Sequence, residues 1–113
     1  MQKTTQTGKN AELFAQEFLK KKNYTILFAN WRHKHSEIDI IAKDGNVIVF
    51  VEVKARNNMD FGHPEDFVDE QKIKKMQEAA DAYIEEFDWE GELRFDIISI
   101  EKNVITHFED AFY

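Results

Sequence analysis

The sequence has no cysteine, and only one proline and four glycines among its 113 residues. Without thiols, disulfides and thiolate metal sites are excluded, and a reducing compartment is permitted. So few chain breakers leave little room for long linkers, and neither a low-complexity segment nor a repeat at solenoid spacing is found. Long hydrophobic runs are missing too: nothing approaches the roughly 20 apolar residues of a membrane span, and residues 1–8 lack the apolar stretch of a signal peptide. The expectation is a cytoplasmic protein without a membrane partner, built as one domain over 1–113 with residues 1–8 disordered. There is also no glycine-rich phosphate loop, no nucleophile elbow and no stacking-aromatic pattern for single strands.

What is present is enough apolar material, 42% hydrophobic and 13% aromatic, for a domain that buries roughly two thirds of its unfolded surface. The net charge of −7 argues against a general polyanion binder, but it is unevenly spread. Residues 1–56 carry ten Lys and Arg against six Asp and Glu (+4), and residues 57–113 carry five against sixteen (−11). Such asymmetry marks either a functional face or a solvated acidic helix.

The run Val47–Lys54 is the most strand-like in the chain. Alternation puts its four valines on one face and Ile48, Phe50, Glu52 and Lys54 on the other. A run this apolar reads as a central strand covered on both sides, where a charge is costly unless it is paired or binds a cation. Upstream, Asn10 is an N-cap candidate for a helix over 11–22 with a stripe of Ala11, Phe14, Ala15, Phe18 and Leu19, flanked by Glu12. Asn23 closes that helix. Strands are predicted over 24–31 and 37–42, the second placing Ile38 and Ile40 on one face and Glu37, Asp39 and Ile41 on the other. The Asp44-Gly45 turn makes strands two and three a hairpin. Arg56–Gly62 reads as a mobile flap, and Asp69 as the N-cap of a helix over 70–87 that buries Ile73, Met76, Ala80, Ile84 and Phe87. A strand over 94–100 and a weaker one over 104–108 follow. The order α-β-β-β-α-β plus a weak last strand predicts an α/β fold, a mixed sheet flanked by helices with a crossover after strand three.

Asp39 and Glu52 lie on adjacent strands, with Lys54 on the Glu52 face. Two carboxylates and a lysine in that arrangement suit a hard, oxygen-binding cation such as Mg²⁺ and the hydrolysis of a phosphodiester. From spacing alone an ordinary cross-strand ion pair is the favoured reading. Glu12 taken alone reads as a solvated helix residue, and Lys72 is a similarly weak signal. His33 and His35 alternate onto one side but lack the further ligands of a zinc site.

Gly8-x-x-x-Glu12, Ala15, Phe18-Leu19, Asn30-Trp31-Arg32, Glu37-Ile38-Asp39-Ile40-Ile41-Ala42, Phe50-Val51-Glu52-Val53-Lys54-x-Arg56, Lys72, Arg94-Phe95-Asp96 and Asp110-Ala111-Phe112 resemble the YraN family over nearly the whole chain. These small bacterial proteins are grouped with restriction-endonuclease-like nucleases and are similar to archaeal Holliday junction resolvases. The resemblance implies a restriction-endonuclease-like three-layer fold with Glu12, Asp39, Glu52 and the Val53 carbonyl as metal ligands. It further implies Lys54 as a catalytic group beside Asp39 and Glu52, Lys72 at a phosphate, Arg32 and Arg56 near the substrate, and Glu37 as an accessory group. Ser36 stands where the family commonly has glycine. The implied activity is a Mg²⁺- or Mn²⁺-dependent endonuclease acting on DNA, branched or structured, with a homodimer able to address two strands. The alternative is a nucleic-acid-binding or protein-interaction module that keeps the fold without turnover.

Overall fold

The computed structural model describes residues 3–56 and 70–112. Helix α1 (Lys3–Lys21) is followed by strands β1 (Thr25–His33), β2 (Ser36–Asp44) and β3 (Val47–Arg56), helix α2 (Glu70–Phe87), and strands β4 (Glu92–Glu101) and β5 (Val104–Phe112). The sheet runs β1-β2-β3-β4-β5. All its pairs are antiparallel except β3–β4, which pair in parallel from Val47↔Glu92 to Arg56↔Glu101. The crossover after strand three is therefore as expected, and the α/β arrangement of helix, mixed sheet and helix is compatible with a three-layer nuclease-like fold. None of the described helices is long and apolar enough to cross a membrane.

β3 lies between β2 and β4, so each of its faces meets a helix. Val49 and Val51 join Ile40, Ala42, Ile98 and Ile100 under Ala11, Ala15 and Leu19 of α1. Ile48 and Phe50 join Ile38, Ile41 and Phe95 under Met76, Ala79, Ala80 and Tyr83 of α2. Phe50 is fully buried, and truncating it to alanine would cost about 3–5 kcal/mol. The β2–β3 hairpin closes with Asp44 opposite Val47 and Gly45 at φ 62°, the first central position of a two-residue turn, where positive φ favours glycine.

Four expectations need correction. The first helix begins at Lys3, so Asn10 lies inside it rather than capping it; extending a formed helix adds one hydrogen bond per residue, and nothing in residues 3–10 breaks it. Phe14 and Phe87 are 41% and 45% exposed, because small alanines bring α1 close to the sheet and α2 presents Met76, Ala79, Ala80 and Tyr83 instead. β5 is a nine-residue strand, not a marginal one. Ile38 and Ile40 fall in opposite cores, because β2 departs from strict alternation between them. The N-cap expected at Asp69 and the flap expected over 56–62 beyond β3 lie outside the described residues.

The end of α1 is tied to the far side of the sheet. Asn23, at φ 72°, donates to the Lys20 carbonyl and Tyr24 to that of Leu19, a pair of bonds that satisfies the last turn's carbonyls. Tyr24 is thereby set to accept a hydrogen bond from Arg94 at 2.7 Å. Arg94 and His107 Nε2 in turn donate to the fully buried Asp96, as does the Asp110 amide across the bulge in β5.

Candidate functional site

The site starts from an irregularity in β2. Its register with β3 ends at Ile40↔Val51, so the next residues along are Asp39 and Glu52. On the other side, β1 pairs Ala29 with Ile40 and Trp31 with Ile38. Asn30 is left opposite Asp39, in the left-handed region at φ 56°. Strict alternation would send Ile38 and Ile40 to one face, and their separation into opposite cores shows that β2 turns at Asp39. Beyond the last paired rung, the Val53 amide donates to Asp39 Oδ2 at 2.9 Å. A carboxylate thus takes a backbone donor of the central strand, and the two strands part around it.

Glu52 lies on the α2 side of that opening. Its Oε2 is 3.5 Å from Lys54 Nζ and its Oε1 is 3.5 Å from Lys72 Nζ. The carboxylate is only 5% exposed, and Oε1 has no hydrogen bond; at 3.5 Å Lys72 acts on it as a charge. The Lys54 partner was readable from the strand period. The Lys72 partner rests on α2 crossing the same face.

Burial pushes the Asp39 carboxyl up to about 7, helped by the charges of Glu52 and Glu12 and opposed by the Val53 amide and Lys72. Glu12, on α1, is also raised by burial; a hydrogen bond from the Asn30 side chain works against this, and the charges of Glu37 and Glu52 add to it. Three carboxylates from α1, β2 and β3 therefore sense one another. Their chemistry fits a hard dication: oxygen donors, one buried oxygen without a hydrogen bond, and mutual repulsion that a cation would relieve. Gripping an ion requires these side chains to rotate, since among the described residues no group of three or more His, Asp or Glu stands close enough to hold one as placed.

The remaining candidates lie around this centre. Glu37 pairs with the exposed Arg32 at 3.8 Å, across a rung of the β1–β2 ladder. Arg56 closes β3 opposite Glu101. His33 stacks on Trp31 with ring planes 9° apart. Sequence reasoning gave Asn30 no role beyond its place in the Asn30-Trp31-Arg32 motif, although an asparagine inside a strand is a residue that tolerates left-handed backbone.

A family model described as an uncharacterised protein family, UPF0102, matches residues 11–100. A UPF0102 protein of Flavobacterium psychrophilum is 48% identical over 110 residues, covering 94% of this chain and 92% of its own. Counterparts from Flavobacterium johnsoniae and Persephonella marina are 44% and 42% identical, covering 100% and 93% of this chain and 98% and 91% of theirs.

Proposed function

Because the chain belongs to the uncharacterised family UPF0102, the YraN family, we propose its function from the site itself: a Mg²⁺- or Mn²⁺-dependent endonuclease that hydrolyses phosphodiester bonds in branched or structured DNA. The observation that carries this reading is the Val53 amide held by Asp39 at 2.9 Å, which parts β2 from β3 beside a buried Glu52 flanked by two lysines.

Asp39, Glu52, Glu12 and the Val53 carbonyl are the groups that would hold the dication. When bound, it supplies Lewis acidity toward a water nucleophile and neutralises charge on the phosphate. Asp39 holds β3 through the Val53 amide, which sets the backbone carbonyl of that residue relative to Asp39. Lys54, partly exposed and 3.5 Å from Glu52 Oε2, is the group that would stabilise the negative charge developing on the phosphate once Glu52 served a bound cation. Lys72 would contact a neighbouring phosphate oxygen, with Arg32 and Arg56 as further substrate-binding cations. Glu37 tempers Arg32 and serves as an accessory acceptor.

The test is cleavage of branched, single-stranded and duplex DNA by the purified protein with Mg²⁺ or Mn²⁺. Product formation that disappears in Asp39→Ala and Lys54→Ala supports the enzyme. One observation favours a second reading: Glu52 is already neutralised by two lysines, as suits a binding or protein-interaction module without turnover. Binding of DNA with no product under either metal would select that reading.

A further inference from the structure

Next to the carboxylates lies a cavity of about 320 Å³ lined by His35, Ser36, Glu37, Gln71, Lys72 and Lys75. Its walls come from two places: the turn joining β1 to β2 with the start of β2, and the first two turns of α2. Lys72 forms part of the wall and also touches Glu52 Oε1 at 3.5 Å, so the cavity opens directly beside the proposed reaction centre. Against the single carboxylate of Glu37 stand two ammonium groups, an imidazole, a hydroxyl and an amide. Glu37 is already engaged by Arg32. The positive end of the α2 dipole lies on the same side. These are the donors a phosphate needs, gathered in a chain whose net charge is −7.

Shape narrows the ligand. A duplex is held by cations spread along its phosphates, whereas here the cations converge on a concavity at the small end of ligand-pocket sizes. A concavity of this volume admits one nucleotide that has left its stack, and nucleic acids offer such a nucleotide only at single-stranded stretches, ends and junctions. We propose that this cavity is a subsite for one unpaired nucleotide of a DNA strand, its phosphate held by Lys72, Lys75 and His35, which sets the substrate class as DNA with a single-stranded element. The inference rests on the nuclease reading for its purpose, but not for its test. Lys75 and His35 had no phosphate role in the sequence, because helical spacing puts Lys75 away from the buried stripe and only the β1–β2 turn brings His35 to meet it.

The experiment is fluorescence anisotropy at low salt, with EDTA present, on a short single-stranded oligonucleotide and on the blunt duplex of the same sequence. The wild type is expected to prefer the single strand. Lys75→Glu should weaken that binding about tenfold and flatten the slope of log K against log salt by about 0.7, one single-strand phosphate contact; His35→Ala should weaken it in the same direction. Lys74→Glu, an equal charge change at an exposed position outside the cavity, should have a much smaller effect. Equal losses in Lys74→Glu and Lys75→Glu would reduce the effect to diffuse charge and overturn the subsite, as would equal affinity for the duplex or no single-strand binding. Because EDTA removes catalysis, single-strand binding through Lys75 without any cleavage under metal would sink the nuclease reading alone. Cleavage that is indifferent to Lys75 would sink the subsite alone.

Discussion

At Asp39 a half-buried carboxylate accepts the Val53 amide while facing the charges of Glu52 and Glu12. Its folded pKa of about 7 lies above the ordinary value of 3.8. Between about pH 4 and pH 7 the folded protein therefore keeps a proton that the unfolded chain has released, and stability falls as pH rises across that window. Asp39→Asn retains an oxygen acceptor for Val53 and removes the charge. The variant is expected to melt several degrees higher than wild type at pH 8 and to lose the decline between pH 4 and 7, as measured by thermal denaturation across pH. Asp96 has the opposite sign. Burial works to raise it, but the hydrogen bonds from His107, Arg94 and the Asp110 amide outweigh burial and leave it lowered. Its contribution is complete above the ordinary value and is lost as pH falls through the lower, folded value. Asp96→Asn removes the fully buried carboxylate of the Arg94–Asp96 ion pair and should cost about 3 kcal/mol in urea unfolding.

At the scale of the elements, the turn of β2 at Asp39 is matched by Asn30 on β1. A left-handed φ of 56° is tolerated by asparagine and free for glycine, but strained for a β-branched side chain. Asn30→Gly relieves no strain and loses only the hydrogen bond to Glu12, so it should lower the urea midpoint less than Asn30→Val, whose backbone strain adds about 1–2 kcal/mol. The regular parts of this architecture were legible beforehand. Alternation gave β3 and its buried faces, Asp44-Gly45 gave the hairpin, and the apolar period of α2 gave its bounds. The break at Asp39 was not legible, because it depends on a side chain taking a hydrogen bond from a strand 14 residues away. The exposure of Phe14 and Phe87 was hidden for a related reason: a helical period says which side is apolar, not how closely alanines let that side approach the sheet. Of the candidate site, the Glu52–Lys54 pairing followed from the strand period, whereas the Lys72 contact and the convergence of Lys75 with His35 depend on how α2 lies across the sheet.

Over the whole molecule, the acidic second half and the convergent cations beside Glu52 make different predictions about salt. A protein tracking a long duplex would lose affinity steeply as salt rises. Two or three phosphate contacts on a single strand give a slope of only about −2 in log K against log salt, and that shallow dependence is expected here. The central claim is that Glu12, Asp39 and Glu52 form one dication site, and Mn²⁺ titration by calorimetry tests it most directly. The wild type is expected to bind one equivalent per chain, with binding abolished in Asp39→Asn and Glu52→Gln and retained in Arg32→Ala. A wild type that binds no Mn²⁺, or binding unchanged by loss of the Asp39 and Glu52 charges, would contradict it.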